Sequence, residues 1–261
     1  MNHEVKEHIR NALKKGIRID GRKLDELRPI KIETGFLATA EGSAKLIFGD
    51  AEVIAGVKMA LEKPYPDTPE DGVLMVNSEL LPMSSPDFEA GPPSIDSIET
   101  ARVIDRGIRE SKAFNTKSLC LEKGEKVWMV AIDVVPINYD GNLIDIGGLA
   151  ALAALKNARF PKLEEDGTVD FHTRTDKTLD LQKLPIPITV CKIGDLLIVD
   201  PTAEEERAVD ARLTVTVLDD DKICALQKGG NHSLSMVDIE KMVDLAIKTS
   251  KVLRAKLNEV N

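Results

Sequence analysis

The chain has 261 residues, of which 43% are hydrophobic and 30% are charged, and its formal net charge is −9. This composition indicates a soluble globular protein whose length suits one large domain or two half-domains. The acidity excludes a surface that binds nucleic acid throughout, because that affinity comes from Lys and Arg side chains. Any nucleic-acid site must therefore be local or shared with another chain.

No membrane segment is predicted. The longest nearly apolar run, residues 144–155, contains Asp145 and is far shorter than the roughly 20 residues that a spanning helix needs. Residues 1–16 are charged throughout and lack the apolar segment and cleavage site of a secretory signal. The sequence thus predicts a cytoplasmic protein without a membrane partner.

The first part of the chain predicts a helix followed by a sheet. Apolar residues at helical spacing, with Gly16 at the expected C-terminal cap, predict an amphipathic N-terminal helix over 1–16. Strand patterns follow; they cover 30–36, 44–48, 53–59 and 73–80, and the last lies in the proline-rich stretch 62–97. A helix at 98–112, a strand at 127–135 and a small-residue helix at 144–158 complete a first lobe over 17–161.

The second part repeats this plan. Residues 162–183 are polar and lack strong periodicity, which predicts a segment crossing between two lobes. Strand pairs follow at 188–193 with 196–199 and at 213–218 with 222–227. Ser235 and Asp238 form a capping box before an amphipathic helix that ends a second lobe over 184–261. The pattern predicts a loosely duplicated α+β architecture, with helices on one side of each sheet.

No metal site is predicted. His3 and His8 lie on the first helix, and the remaining histidines show no ligand spacing with cysteine. The run Asp219–Asp221 resembles a metal site, and Gly229-Gly230 resembles a phosphate loop, but both are interpreted as turns.

A series of short motifs identifies a family. In chain order they are Arg18-Ile-Asp-Gly-Arg22, Asp25-Glu-Leu-Arg-Pro29, Glu41-Gly-Ser-Ala44, Gly49-Asp50 and Asp140-Gly141. Together they resemble the RNase PH family over nearly the whole chain. Within it, residues 101–113 look most like the non-catalytic RNase PH-like subunits of archaeal exosomes.

The resemblance implies a fold and an activity. The RNase PH fold (ribosomal protein S5 domain 2-like) is an α+β fold of two similar half-domains with helices covering mixed sheets. Its members pair, and three pairs close a ring around a channel for RNA. Active members shorten RNA from the 3′ end, using inorganic phosphate as the nucleophile with support from carboxylates and Mg²⁺.

The phosphate site of active members is missing from the sequence. There the helix after Asp-Gly begins with Gly-Thr-Arg, whose hydroxyl, guanidinium and amide groups can bind phosphate. Leu143 and Ile144 occupy the Thr and Arg positions here, and Asp145 adds a negative charge. These residues are interpreted as capping and packing a helix, since Asp near a helix N-terminus is stabilising.

The second catalytic motif also departs from the family. Glu206 can substitute for its first carboxylate, but Arg212 stands where the final Asp belongs. Asp210, two residues earlier, is displaced by about 7 Å along a strand, too far for a site that requires hydrogen-bond reach. We therefore expect no catalytic residue in this chain.

Three arginines are the candidate RNA-binding residues. Arg102, Arg106 and Arg109 are spaced for one face of a helix. From the pattern alone, the three arginines are expected to form a solvent-exposed face whose charge is neutralised by Glu99, Asp105 and Glu110. The family resemblance matches Arg102 and Arg106 with arginines that bind RNA, and Arg109 extends the stripe.

The resemblance therefore predicts a non-catalytic exosome component. Its expected partners are a catalytic RNase PH-like paralogue in a trimer of heterodimers, RNA-binding cap subunits and single-stranded RNA. It needs no cofactor of its own, because phosphate and Mg²⁺ are used by the catalytic paralogue. The alternative is an active phosphate-dependent 3′-to-5′ exoribonuclease using Glu206 and Asp210, and a third possibility is a scaffold without RNA contact.

Overall fold

The computed structural model describes residues 3–260, with side chains in the first helix described from Lys6 onward. The predicted N-terminal helix is present as α1 from His3 to Lys14. The first two residues of its predicted span 1–16 and the side chain of His3 lie outside the described residues. The other helices are α2 Ile95–Ser111, α3 Leu143–Asn157, α4 Ala203–Glu206 and α5 Met236–Asn258.

Within residues 3–260, twelve strands form three sheets. They are β1 Ile30–Thr34, β2 Gly42–Phe48, β3 Ala51–Glu62, β4 Val73–Ser78, β5 Cys120–Glu122, β6 Lys126–Asn138, β7 Arg159–Leu163, β8 Val169–Thr178, β9 Ile186–Ile193, β10 Leu196–Val199, β11 Ala211–Val217 and β12 Ile223–Gly229. Elements β1 to α3 lie within the predicted first lobe, and β9 to α5 lie within the second.

The first lobe contains a mixed sheet of six strands in the order β1-β2-β3-β6-β4, with β5 also paired to β6. All pairs are antiparallel except β4 with β6. Alternate residues of β3 are buried from Ala51 to Met59, so one face of the sheet meets the core. The second lobe contains four antiparallel strands in the order β10-β9-β11-β12.

Helix α3 joins the two sheets into one core. It contacts β2, β3 and β6 on one side and β9 on the other, and its residues are buried from Leu143 to Leu155. A Cβ atom at Gly148 would lie 2.5 Å from Pro187 Cγ, so only glycine permits this approach. A single apolar cluster therefore includes residues of both lobes, and α2 and α3 both contact strands of both sheets.

Residues 162–183, predicted as a segment crossing between the lobes, carry most of a two-stranded ribbon that the sequence did not predict. Strands β7 and β8 form an antiparallel ribbon that extends to Thr178. Most β8 side chains are exposed, so the ribbon has no apolar alternation to reveal it. The sequence signal for this ribbon is the Asp166-Gly167 pair, which lies in the turn between its two strands.

The family motifs near the N-terminus converge on the second lobe. Arg28 binds both Asp200, at 2.6 Å, and Asp140, at 2.9 Å. Arg22 also pairs with Asp200 at 2.9 Å, and Arg18 pairs with the fully buried Glu205 at 2.5 Å. These ion pairs hold the segment before β1 against the turn that carries the candidate site. No helix in the described part of the chain is long and apolar enough to cross a membrane.

Candidate functional site

The start of α3 offers apolar side chains where the family resemblance places a phosphate site. Leu143 and Ile144 are each 8% exposed. Both line a cavity of about 330 Å³ between the lobes, together with Tyr139, Glu206 and Arg212. Neither side chain can donate a hydrogen bond to an anion.

Asp145 is directed into the second lobe. Its carboxylate accepts hydrogen bonds from Thr189 N at 2.8 Å and Thr189 Oγ1 at 2.6 Å. Burial raises the pKa of Asp145 to about 7, although the Thr189 hydrogen bonds oppose the rise. Thr214 Oγ1 lies 2.8 Å from Thr189 Oγ1 and completes the group. Asp145 therefore links α3 to β9 and, through Thr189, to β11.

Of the two candidate catalytic carboxylates, Glu206 lines the cavity. It ends the one-turn helix α4, and its carboxylate accepts hydrogen bonds from the Tyr139 hydroxyl and from Asn142 N at 2.8 Å. Burial raises the pKa of Glu206, while these two hydrogen bonds lower it. Burial next to Glu206 also raises the pKa of Tyr139. The Glu206 carboxylate and the Tyr139 hydroxyl are therefore bound to each other.

Asp210, the alternative catalytic carboxylate, is bound elsewhere. Its side chain is bound by Arg10 at 2.6 Å, by Lys6 at 3.1 Å and by Gly194 N at 2.8 Å. Burial alone would raise the pKa of Asp210, but these partners lower it to about 2. Asp210 therefore anchors α1 on the second lobe and does not line the cavity that Glu206 lines.

Arg212 lies at the cavity wall and is neutralised. Its Nη2 atom donates to Glu99 Oε2 at 2.7 Å, and both side chains are about one-quarter exposed, at 24% and 26%. A Cβ atom at Gly229 would lie 2.4 Å from Arg212 Nη1, so glycine leaves room for the guanidinium over β12. The predicted turn at Gly229-Gly230 is observed as the last strand residue followed by a bend.

The candidate RNA-binding arginines lie on α2, but they differ in their surroundings. This helix begins after Ser94, whose hydroxyl accepts a hydrogen bond from Ser97 N. Arg109 is held by Asp105 at 2.7 Å and by the Leu74 carbonyl at 2.9 Å. The Arg109 guanidinium is therefore already bound within the protein, and in this respect Arg109 differs from Arg102 in the predicted stripe.

Arg102 and Arg106 lie together on one groove. Within the described residues Arg102 has no ion pair, and Arg106 pairs with Glu110 at 3.0 Å across an exposed surface. The groove has a volume of about 690 Å³ and is formed by α2, β11 and β12. Its apolar residues include Ile98 and Leu226, which are 48% and 54% exposed. The periodicity of the sequence did not predict that β12 forms one wall of this groove.

The remaining predicted features have structural explanations. Asp219–Asp221 forms a turn in which each aspartate pairs with a nearby cation: Arg254, Lys222 and Lys251 in order. His8, His172 and His232 are exposed. Among residues whose positions are described, no group of three or more His, Cys, Asp or Glu is placed to hold a metal ion.

Comparison with known proteins agrees with this architecture. Residues 26–161 match domain 1 of the 3′ exoribonuclease family, RNase PH, and residues 183–249 match domain 2. The chain therefore belongs to the RNase PH family of 3′ exoribonucleases, and both the family and the fold predicted from its motifs are confirmed.

Individual relatives extend over nearly the whole chain. The exosome complex component Rrp42 of Pyrococcus abyssi is 44% identical over 98% of this chain and 94% of the relative. The same component of Thermoplasma acidophilum is 44% identical over 96% of this chain and 94% of the relative.

Solved structures give the same result. A chain of the Archaeoglobus fulgidus exosome with RNA bound to the active site superimposes with a TM-score of 0.91 at 42% identity, covering 97% of both chains. A chain of an archaeal exosome core gives 0.87 at 39% identity, covering 98% of this chain and 96% of the other.

Proposed function

We propose that this chain is a non-catalytic component of an archaeal-type exosome. It pairs with a catalytic RNase PH-like paralogue in a ring of three heterodimers, helps to order the active site of that paralogue, and contacts RNA. Its relatives at 44% identity are exosome components, and a similar chain belongs to an exosome with bound RNA. RNA-binding cap subunits and a cytoplasmic location complete the proposal.

The side chains that line the cleft at the start of α3 are the observation that supports the non-catalytic role. Leu143 and Ile144 offer no hydrogen-bond donor to an anion. Arg212 stands at the position proposed for a catalytic carboxylate, and it is paired with Glu99. Phosphorolysis needs a bound phosphate and a group that assists proton transfer. Glu206 alone cannot provide both, and Asp210 is engaged by α1. Phosphate and Mg²⁺ therefore act in the paralogue.

Arg102 and Arg106 are the proposed RNA contacts. Four residues of helix separate them by about 6 Å along the axis, which lets two cations contact neighbouring phosphates of one strand. Exposed apolar side chains in the same groove offer a surface for the bases. Since the net charge of the chain is −9, this local pair is the feature that makes RNA contact favourable.

The test is phosphate-dependent release of nucleoside diphosphates from 3′-labelled poly(A). This chain alone, the RNase PH-like paralogue alone and the assembled ring are compared with and without inorganic phosphate. We expect the ring to be active and this chain alone to be inactive. Release of nucleoside diphosphates by this chain alone would refute the non-catalytic role, particularly if it were lost in Glu206→Gln.

A further inference from the structure

The cleft beside α3 continues into a second cavity. The first, of about 330 Å³, and the second, of about 830 Å³, share the residues Leu80, Phe88, Asp96, Tyr139 and Glu206. The wall of the second cavity is formed by the end of β4, residues 79–94 and the start of α2. Both cavities open to solvent next to the position where active family members bind an anion.

The charge of this double cleft is negative. Of the residues that the structure describes, six with carboxylate side chains and two arginines line it. Both arginines are already paired, Arg212 with Glu99 at 2.7 Å and Arg207 with Asp87 at 2.6 Å. The carboxylates without an ion pair in the described part of the chain are Glu79, Glu89, Asp96 and Glu206. This excess repels phosphate and RNA and attracts cations.

Two aromatic rings form part of the same wall. The Phe88 and Tyr139 rings line both cavities, with centroids 5.0 Å apart and planes inclined at 52°. Each side chain is partly exposed. Aromatic faces beside carboxylates attract organic cations, which gain from the ring quadrupole as well as from the negative charge.

Unpartnered polar atoms point to the same type of ligand. Asn142 is 3% exposed and lines the first cavity, and Ser78 is 6% exposed and lines the second. Among the described residues, neither Asn142 Oδ1 nor Ser78 Oγ has a hydrogen-bond partner. An amide oxygen can only accept hydrogen bonds, and guanidinium and ammonium groups only donate them. A bound organic cation would satisfy Asn142 Oδ1, whereas an anion would not.

We propose that this double cleft is a binding site for an organic cation, a guanidinium or primary ammonium group. Carboxylates at Glu79 and Asp96 attract the cation, Phe88 and Tyr139 contact its apolar faces, and Asn142 Oδ1 accepts a hydrogen bond. An arginine side chain of a neighbouring protein and a free polyamine share this chemistry. Cation binding at this site requires only the charge and shape of this chain and is independent of the proposed function.

The test uses the full chain and three soluble probes: Nα-acetyl-arginine methylamide, its neutral isostere Nα-acetyl-citrulline methylamide, and spermidine. Binding is followed at low salt by the NMR signals of the Asn142 side-chain amide and the Tyr139 backbone. We expect saturable shifts with at least one cation, and roughly tenfold weaker binding of the citrulline probe. Preference for the arginine probe identifies a protein side chain as the source, and preference for spermidine identifies a polyamine.

Variants separate this site from general charge attraction. Asp96→Asn and Glu79→Gln remove exposed carboxylates that have no ion pair among the described residues, so neither should impair folding. Each is expected to weaken cation binding about threefold or more, whereas Asp67→Asn, an exposed aspartate outside the cleft, should not. Equal binding of citrulline, equal effects of Asp67→Asn, absence of binding by both cations, or displacement of the cation by inorganic phosphate would each overturn the proposal.

Discussion

Glu99 and Arg212 form an ion pair that connects the cleft to the arginine groove. The Arg212 Nη2 atom lies 2.7 Å from Glu99 Oε2. Glu99 lines both the first cavity of the cleft and the groove that holds Arg102 and Arg106, and it lies three residues before Arg102 on the same helix. A carboxylate at that spacing is a natural partner for Arg102, yet it is bound to Arg212. Because Arg212 holds Glu99, the Arg102 guanidinium remains available.

We therefore expect Arg212→Met to weaken RNA binding without any direct contact to RNA. In this variant Glu99 is released and can neutralise Arg102, so the affinity of the assembled ring for single-stranded RNA should fall about two- to fivefold at low salt. The double variant Glu99→Gln with Arg212→Met should recover the original affinity. Fluorescence anisotropy with a labelled oligoadenylate measures both values. An equal loss in the double variant would show that Arg212 acts on RNA by itself.

Charge reversal tests the proposed RNA contacts directly. Arg102→Glu and Arg106→Glu should each weaken RNA binding by the ring, and neutral variants of either should reduce the salt dependence of log K by roughly 0.7. Arg109→Ala should have a smaller effect, because Arg109 is bound to Asp105 and Leu74. The matched control is Lys241→Glu, an exposed cation on α5.

The same series separates RNA contact from a purely structural role. If the ring assembles and its RNA affinity is unchanged in Arg102→Glu with Arg106→Glu, this chain is a scaffold. Ring assembly is checked by size-exclusion chromatography with light scattering, so that loss of RNA binding is not confused with dissociation. A loss as large in Lys241→Glu would indicate a nonspecific effect of net charge.

Local patterns predicted much of the fold. The β2–β3 hairpin follows from alternating burial on either side of Gly49-Asp50, and the start of α5 follows from the Ser235 capping box. Both depend on residues close in sequence, where spacing alone determines which side chains meet. Helix α4 and the β7–β8 ribbon were missed, since one is a single turn and the other buries little apolar surface.

The contacts of the candidate site were less predictable, because they join residues that are far apart in the sequence. The helical spacing of Arg102 and Arg106 correctly placed both on one exposed face. Glu99 and Arg212 are separated by 113 residues, and Asp145 and Thr189 by 44, so no local pattern reveals either contact. Only the packing of α2 and α3 between the two sheets brings these pairs together.

The Arg28–Asp200 pair predicts a large effect on stability. Both side chains are almost fully buried, at 5% and 0% exposure, and Arg28 Nη2 lies 2.6 Å from Asp200 Oδ1. Arg28→Met leaves Asp200 with fewer donors inside the protein, which should lower the free energy of unfolding by about 3 kcal/mol or more. Urea unfolding followed by circular dichroism measures the change.

A matched pair at the surface serves as the control. Lys248 binds Asp25 at 2.8 Å, but the two side chains are 72% and 45% exposed. Lys248→Met should therefore change the free energy of unfolding by about 1 kcal/mol or less. Equal losses in Arg28→Met and Lys248→Met would mean that the buried network near Asp200 does not hold the lobes together.

Asp145 predicts a dependence of stability on pH. Its pKa is about 7 in the folded chain, compared with 3.8 for an ordinary aspartate. Between these values the folded state retains a proton that the unfolded state has released, so raising the pH through this window reduces the free energy of unfolding. Asp145→Asn keeps an acceptor oxygen for Thr189 but cannot titrate. The variant should therefore gain stability relative to the wild type from about pH 4 to about pH 7 and no further above it.

The upper limit of this relative gain is roughly 4 kcal/mol, at 1.36 kcal/mol for each pKa unit. Urea unfolding curves of both proteins at several pH values measure it. Glu206, whose pKa burial also raises, is present in both proteins and cancels in the difference. Asp195→Asn, at an exposed position, controls for the replacement of a carboxylate by an amide. Parallel stability curves for the wild type and Asp145→Asn would show that the buried carboxylate stays ionised throughout, held by Thr189 more strongly than burial disfavours its charge.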